Sequence, residues 1–333
     1  MCVAENVRQC REQIAMLETK SQELEAKPPR MSIERIADDP KKMLLYTSFT
    51  YDVFKFLCNT VDRFQPLTYY CGWRVTSVSS EDQLLLTLMK LTMNCKDLDL
   101  AERFCISKTS VSNIFHTYVC ALHEILFDGI LQSIGIPSQC KCKGSMPKSF
   151  EAFPTARIAI DCTEITQDVP TELHAQSLSY SSYKSRHTVK ALTGVAPNGT
   201  LVYTSYLYPG SVSDAAIVEH SSILRQFCPG DLILADKGFN IYDKLPQGVH
   251  LNIPPFLGQK QHFTKQEAEM CFKIARSRIH VERANERIKN YNVLDHIPAK
   301  YRSLSTKIFQ VCVCLVNLQS PLLNEIAENY VLY

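Results

Sequence analysis

The chain has 333 residues, an apolar share of 45% and a formal net charge of +2. That length and composition can bury a sizeable core in one large or two ordinary domains, which excludes a disordered or fibrous chain. The near-neutral balance cannot by itself argue for nucleic acid or membrane, so any polyanion partner must be read from local charge.

The start, "MCVAENVRQCREQIAM", holds no continuous apolar region, which predicts no secretory leader. No run elsewhere approaches the ~20 apolar residues of a membrane span, so a soluble, intracellular chain with no membrane partner is expected. Among 14 cysteines, Cys140/Cys142 and Cys312/Cys314 form Cys-x-Cys pairs without a second pair at zinc-ligand spacing. Reduced, mostly buried thiols are the expectation.

Residues 1–27 place Val7, Cys10, Ile14, Leu17, Ser21 and Leu24 at alternating spacings of 3 and 4, a coiled-coil-like helix that docks or dimerises weakly. The prolines of "AKPPRM" end it, and residues 28–46 read as a linker. Residues 47–140 read as a helical domain. Within it, "LAERFCISKTSVSNIF" turns at Cys105 to Ser107, and Ser107 can cap the helix that follows. That is helix-turn-helix spacing, and it predicts Lys108, Thr109, Ser110, Ser112 and Asn113 on the outer, DNA-facing side. An amphipathic bundle that touches no DNA fits the same pattern.

After "GSMPKSFEAFP" the texture changes to short strands: "ARIAIDCTEI", then "TVKALTGVA" and "LVYTSYLYP" joined by the turn "PNGT". A helix follows in "SDAAIVEHSSILRQF", then the apolar strand "DLILAD", a long helix from about Thr264 to Tyr291, and the last apolar helix from Ser305. The expected architecture over 150–325 is therefore α/β, with the order strand, hairpin, helix, strand.

Asp161 in "RIAID" and Asp236 in "LILAD" are each the first acid after an apolar strand. If the two strands are neighbours, their ends lie about 5 Å apart and the carboxylates converge. Such a pair repels unless a cation sits between them. "RIHVERANERIKNY" offers Glu282 and Glu286 one turn apart on a basic helix. Singly, each acid also fits a plainer role: a loop cap for Asp161, an Asx turn for Asp236, a solvated ion pair for the glutamate. Between Lys260 and Lys307 stand eleven Lys or Arg against five Asp or Glu, and "YSSYKSRHTVK" sets Lys184, Arg186, His187 and Lys190 among tyrosines. Acids ringed by bases suit phosphodiester chemistry, and the same bases disfavour a carboxylate-pair glycosidase.

The runs "IAIDCTEI", "YSSYKSRHTVKALTGVAPNGTLVYTS", "YPGSVSDAAI", "LILADKGFNI" and "RIHVERANERIK" together resemble the DDE superfamily endonuclease domain of Harbinger-like transposases. The stretch "LTYYCGWRVTSVSSEDQLLLTLMKLTMNCKDLDLAERFCISKTSVSNIF" resembles the helix-turn-helix that precedes it. The resemblance implies a ribonuclease H-like mixed sheet flanked by helices and a catalytic, metal-holding triad of Asp161, Asp236 and Glu282. Asp214 is the runner-up ligand, and two Mg2+ or Mn2+ ions are the implied cofactors. The implied partner is double-stranded DNA, contacted also by Lys237 and Arg283, and the implied location is nuclear. A homodimer is a further expectation, and, with a coiled-coil-like stripe where some relatives carry a zinc-coordinating DNA-binding module, target recognition is expected from the helix-turn-helix or from a DNA-binding partner protein. A second function, that of a domesticated DNA-binding or chromatin protein without turnover, remains open.

Overall fold

The computed structural model describes residues 8–9, 11–17, 30–257 and 262–323. Residues 8–9 and 11–17 are helical, and Ile14 and Leu17 of the heptad stripe are exposed there; Val7, Cys10, Ser21 and Leu24 lie outside the described residues.

Residues 28–46 do not form a linker. Helix α1 (Pro40–Thr47) starts inside this segment, with Pro40 in its first turn and the Asp39 carboxylate accepting from the Lys41 and Lys42 amides at 3.0 and 3.2 Å. Ile33, Ile36 and Met43 are buried in the main core, and the Ile33 amide donates to Asp82. They sit on separate short elements, a 3-10 turn at Ile33–Arg35 and α1, so no single periodic run marks them.

Four further helices complete the first half: α2 (Tyr51–Asp62), α3 (Ser80–Met93), α4 (Asp97–Phe104) and α5 (Lys108–Leu122). Cys105 ends α4 in the left-handed region at φ 51°, and Ser107 opens α5 by accepting from the Ser110 amide at 3.0 Å. The turn therefore forms where the sequence placed it, with Ala101 buried inside. Helix α5 continues as a π-helical stretch, His123–Gln132. Contrary to the sequence reading, Lys108–Gln132 is long and apolar enough to cross a membrane by length and composition. Of its apolar window 61% is buried inside the protein, where it packs on α3 and on the last helix.

The short helix α6 (Gln139–Lys143) leads to an eight-stranded mixed sheet. Its strands are β1 (Ala156–Gln167), β2 (Tyr180–Ser181), β3 (Arg186–Val195), β4 (Leu201–Thr204), β5 (Tyr208–Pro209), β6 (Leu232–Leu234), β7 (His250–Asn252) and β8 (His296–Ile297). The main path runs β2-β3-β1-β6-β7, with β4 and β5 on β3 and β8 on β1. β1 is antiparallel to β3 but parallel to β6, and β6 is parallel to β7. Helices α7 (Leu173–Ser179), α8 (Asp214–His220), α9 (Lys265–Lys289) and α10 (Ser305–Val316) accompany the strands.

Two cores flank this sheet because β1 alternates. Ala156, Ala159 and Ile165 join the cluster built by α1–α5, α9 and α10, whereas Ile158 and Ile160 join the cluster under α8. The first cluster is continuous from the helical half into the sheet, so the two halves share one interior. At their joint, Asp97 on α4 binds Lys90 at 2.5 Å and Lys300 at 2.7 Å. Lys90 is buried, and desolvation lowers its pKa while Asp97 opposes that drop.

All twelve cysteines among the described residues are free thiols. Only Cys58, Cys142, Cys312 and Cys314 are buried; Cys71, Cys105, Cys140 and Cys228 are exposed, so "mostly buried" overstated the case.

Candidate functional site

β1 does not stop at Asp161. "CTEITQ" carries the alternation and the β-branched residues onward, so the strand runs six residues further, paired with β3 and finally β8. Asp161 is thus mid-strand, at the point where β6 leaves it. Ala159 is in register with Leu234, which brings Asp161 and Asp236, each two residues later, to the same level on adjacent parallel strands. A rigid strand mounts the first acid, and the second stands on the loop that ends β6.

The third acid comes from α9. A capping box starts this helix, with Thr264 Oγ1 accepting from the Glu267 amide and Glu267 Oε2 accepting from the Thr264 amide. Ile274, Val281, Ala284 and Ile288 bury one face in the main core and fix the rotation of the helix. On the rim of that face, Arg278, Glu282 and Asn285 follow one another at spacings of 4 and 3, pointing toward β1 and β6.

Arg278 gathers the three acids. Its guanidinium lies 3.3 Å from Asp236 Oδ1, 3.8 Å from Glu282 Oε1 and 4.0 Å from Asp161 Oδ1. The Arg278 side chain is 9% exposed, whereas those of Asp236 and Glu282 are 53% and 57% exposed and open to solvent. Asn285 Nδ2 donates to Asp161 Oδ2 at 3.0 Å, and Asn285 Oδ1 accepts from Thr193 Oγ1 at 2.7 Å. Burial raises the Asp161 carboxyl to about 6 despite the opposing pull of Arg278 and Asn285.

The remaining expected residues are spread more widely. Asp214 is not among the acids that meet Arg278. It opens α8 on the other face of β1, pairs with Lys190 at 3.3 Å and approaches the Asp236 loop, where a Cβ on Gly238 would lie 3.1 Å from its Oδ2. Cys162, beside it, is pushed up by burial and by the Asp214 charge. Glu164 also faces away, bonded by Thr188. Lys184, Arg186, Lys237 and Arg283 are exposed, and Lys237 lies over the Phe263 ring. Lys289 stands near Lys184, Asp161 and Glu164, and desolvation together with Lys184 lowers its pKa.

On α5, Lys108 and Thr109 are exposed and Ser110 and Ser112 half-buried. Asn113 is not on the outer face. It is fully buried, accepting from the Cys71 amide at 2.9 Å and donating to the Trp73 carbonyl at 2.9 Å, because the segment 69–73 folds across that side of the helix. Residues 67–75 fall in the stretch that resembles the helix-turn-helix, but no local pattern in them announced the cover. Arg278, Asn285 and Lys289 were likewise missed as site residues, although their spacing from Glu282 on one helix was a usable signal.

Three carboxylates supply the hard oxygen donors that Mg2+ and Mn2+ prefer, and a cationic group already stands among them. Among the described residues no three His, Cys, Asp or Glu form a ready metal-binding group. The donor chemistry fits a divalent ion, while the spacing is the one set around a guanidinium.

Residues 160–317 match the family model described as "DDE superfamily endonuclease", and residues 76–127 match "Helix-turn-helix of DDE superfamily endonuclease". The first match contains all three acids that meet Arg278. Among curated proteins, the chain is 26% identical to the rat protein named "Putative nuclease HARBI1" and 25% to its human counterpart, each over 189 residues. Those alignments cover 55% of this chain and 52% of the relative, so the chain spans about half the length of the curated relatives it matches. The mouse protein of that name is 26% identical over 173 residues. No solved structure matches the chain significantly. A DDE domain implies a ribonuclease H-like fold, and the mixed sheet with flanking helices accords with it. The chain is a homologue of the HARBI1 proteins, with a DDE superfamily endonuclease region at 160–317 and the helix-turn-helix of that superfamily before it at 76–127.

Proposed function

We propose that the protein is a metal-dependent DNA endonuclease of the transposase type, acting in the nucleus on double-stranded DNA. The observation that carries this reading is the convergence of Asp161, Asp236 and Glu282 on one cationic centre inside the DDE region. DDE superfamily endonucleases generally use divalent metals. Here Asp161, Asp236 and Glu282 would hold one or two Mg2+ or Mn2+ ions. Bound there, such ions supply an activated water and charge neutralisation at the scissile phosphate.

The chain's own residues do the rest. Asn285 fixes the rotamer of Asp161, and β1 holds that carboxylate in a rigid frame. Lys289 stands near Asp161 with Lys184 close to it, and the exposed Lys237 and Arg283 follow Asp236 and Glu282 in the chain, a positive charge suited to phosphate contacts. Lys108 and Thr109 at the start of α5 are placed to meet the duplex, as the helix-turn-helix match suggests. No observation favours a protein without turnover, since all three acids are present. Dimerisation through the N-terminal stripe and a separate DNA-binding partner remain proposals alongside this one.

The test is nicking of supercoiled plasmid and of terminal-repeat duplexes with Mg2+. Wild type is expected to cut, whereas Asp161→Asn and Asp236→Asn are not. Equal cutting by both variants would sink the assignment.

A further inference from the structure

The Arg278 guanidinium is held in an unusual way. A guanidinium with a settled structural role satisfies its N–H donors, as Arg157 does by bonding three backbone carbonyls and the Asp231 carboxylate. Arg278 makes a single hydrogen bond to these acids, the 3.3 Å contact with Asp236, and its other two carboxylate contacts are longer. Its Nε is buried without a hydrogen-bond partner. The surroundings are thus matched to the charge of the group and not to its shape. Among the described residues Arg278 alone makes ion-pair contact with the three carboxylates, so these contacts leave the acids in excess. A compact ion with two positive charges satisfies that set better than a planar group with one.

Resting on the metal-dependent reading above, we infer that Arg278 is an internal counter-cation that occupies the metal seat of the resting protein and leaves it when a divalent ion enters. Metal uptake is then an exchange: the Asp236, Glu282 and Asp161 contacts to the guanidinium open, and the same oxygens turn to the ion. Arg278 sits one turn before Glu282 on α9, so a change of its side-chain rotamers is enough to vacate the seat while α9 stays docked through Ile274, Val281 and Ile288. The guanidinium keeps the three acids together in the resting state and sets the metal concentration at which the site fills. Arg278 is in this sense a positioning residue.

A purely structural arginine makes the opposite prediction, since its loss would loosen the acids and weaken metal binding. The experiment is titration of Mn2+ into the full chain, read by calorimetry and by the paramagnetic resonance of free Mn2+, for wild type, Arg278→Gln and Arg278→Lys. Arg278→Gln is expected to bind Mn2+ about tenfold or more tightly than wild type, because one positive charge some 4 Å from the acids is gone. Arg278→Lys, with a shorter reach and the charge retained, is expected in between. Added Mg2+ is expected to raise the Tm of Arg278→Gln more than that of wild type. Equal or weaker binding by a variant with wild-type circular dichroism overturns the exchange and leaves the metal-dependent reading standing. If Arg278→Gln does not fold, Arg278→Lys decides, and wild-type affinity there overturns the exchange. No Mn2+ binding by wild type or either variant removes the metal-dependent reading, and the exchange falls with it.

Discussion

Asn285 on α9 donates to the Asp161 carboxylate at 3.0 Å, tying a helix to the middle of the central strand. The oxygen of that amide accepts from Thr193, so Asn285 reads the positions of β1 and β3 together. Replacing it with Ala leaves Asp161 Oδ2 without its Nδ2 donor, while Thr193 Oγ1 keeps only the Asp161 carbonyl at 3.2 Å. The expected cost is about 1–3 kcal/mol of stability, measured by denaturant unfolding. A loss of about 10–100-fold in Mg2+-dependent cutting is expected as well, the size typical when a residue orienting a metal ligand is removed. Full cutting activity by a folded Asn285→Ala protein would contradict the positioning role.

The Asp161 carboxyl gives a pH signature with a definite sign. Its folded pKa is raised to about 6 from an ordinary 3.8, so between those values the folded state holds a proton that the unfolded state has released. Stability therefore falls as pH rises through this window, and the cost is fully present above it. Asp161→Asn removes the ionisation. The variant is expected to gain up to about 3 kcal/mol over wild type at pH 8 and nothing at pH 3.5, in chelator. A site residue whose loss stabilises the fold is what unfolding curves at the two pH values should reveal.

Glu282 and Glu286 separate cleanly. Glu282 lies 3.8 Å from Arg278, whereas Glu286 is exposed one turn further along α9. On the metal-dependent reading, Glu282→Gln is expected to lower the cutting rate by about 100-fold or more, since one of the three proposed ligands is lost. Glu286→Gln is expected to cut at the wild-type rate. Single-turnover assays at saturating Mg2+ distinguish the two.

On α5, Lys108 and Asn113 are expected to fail in different ways. Lys108→Ala should weaken DNA binding about equally across sequences and reduce the salt dependence of log Kd by about one unit. Asn113→Ala should instead cost about 1–3 kcal/mol of stability, because the Cys71 amide and the Trp73 carbonyl lose their buried partner. Fluorescence anisotropy over a salt series and thermal melts measure the two effects.

Gly194 in β3 tests the sheet itself. A Cβ there would clash with Ile158 Cδ1 and lie 3.2 Å from Tyr203 Cβ, between β1 and β4. Gly194→Ala is expected to destabilise by about 1–3 kcal/mol through overpacking. A double variant with Ile158→Val should recover part of that loss in the same melts.

Much of the site could be read from the chain alone, for physical reasons. Asp161 and Asp236 each follow an apolar run, "RIAI" and "LILA", and the two runs pair as adjacent parallel strands, so the hydrophobic pattern pointed to their convergence. The turn at Cys105 and the cap at Ser107 are local chemistry, legible without tertiary contacts. What escaped notice depends on distant contacts: Asn113 is covered by a segment some forty residues earlier, and Asn285 matters only because Thr193 and Asp161 meet it. Ile33, Ile36 and Met43 were taken for linker because they are split between a short turn and the start of α1, with no continuous helical run to join them. The extent of β1 past Asp161 was missed because the charge was read as a terminus, whereas a partner strand on one side had merely departed.

The common interior of the helical half and the sheet has a mechanical meaning. Helix α5 and strand β1 anchor in one packed cluster, and Asp97 locks the joint between Lys90 and Lys300. On the nuclease reading, the distance from the base pairs touched by α5 to the phosphate held at Asp161 is then set by packing, as on a calliper with no hinge. Such an instrument cuts at a constant offset from the sequence it grips, and mapping cleavage positions on repeats of altered spacing would display that constancy directly.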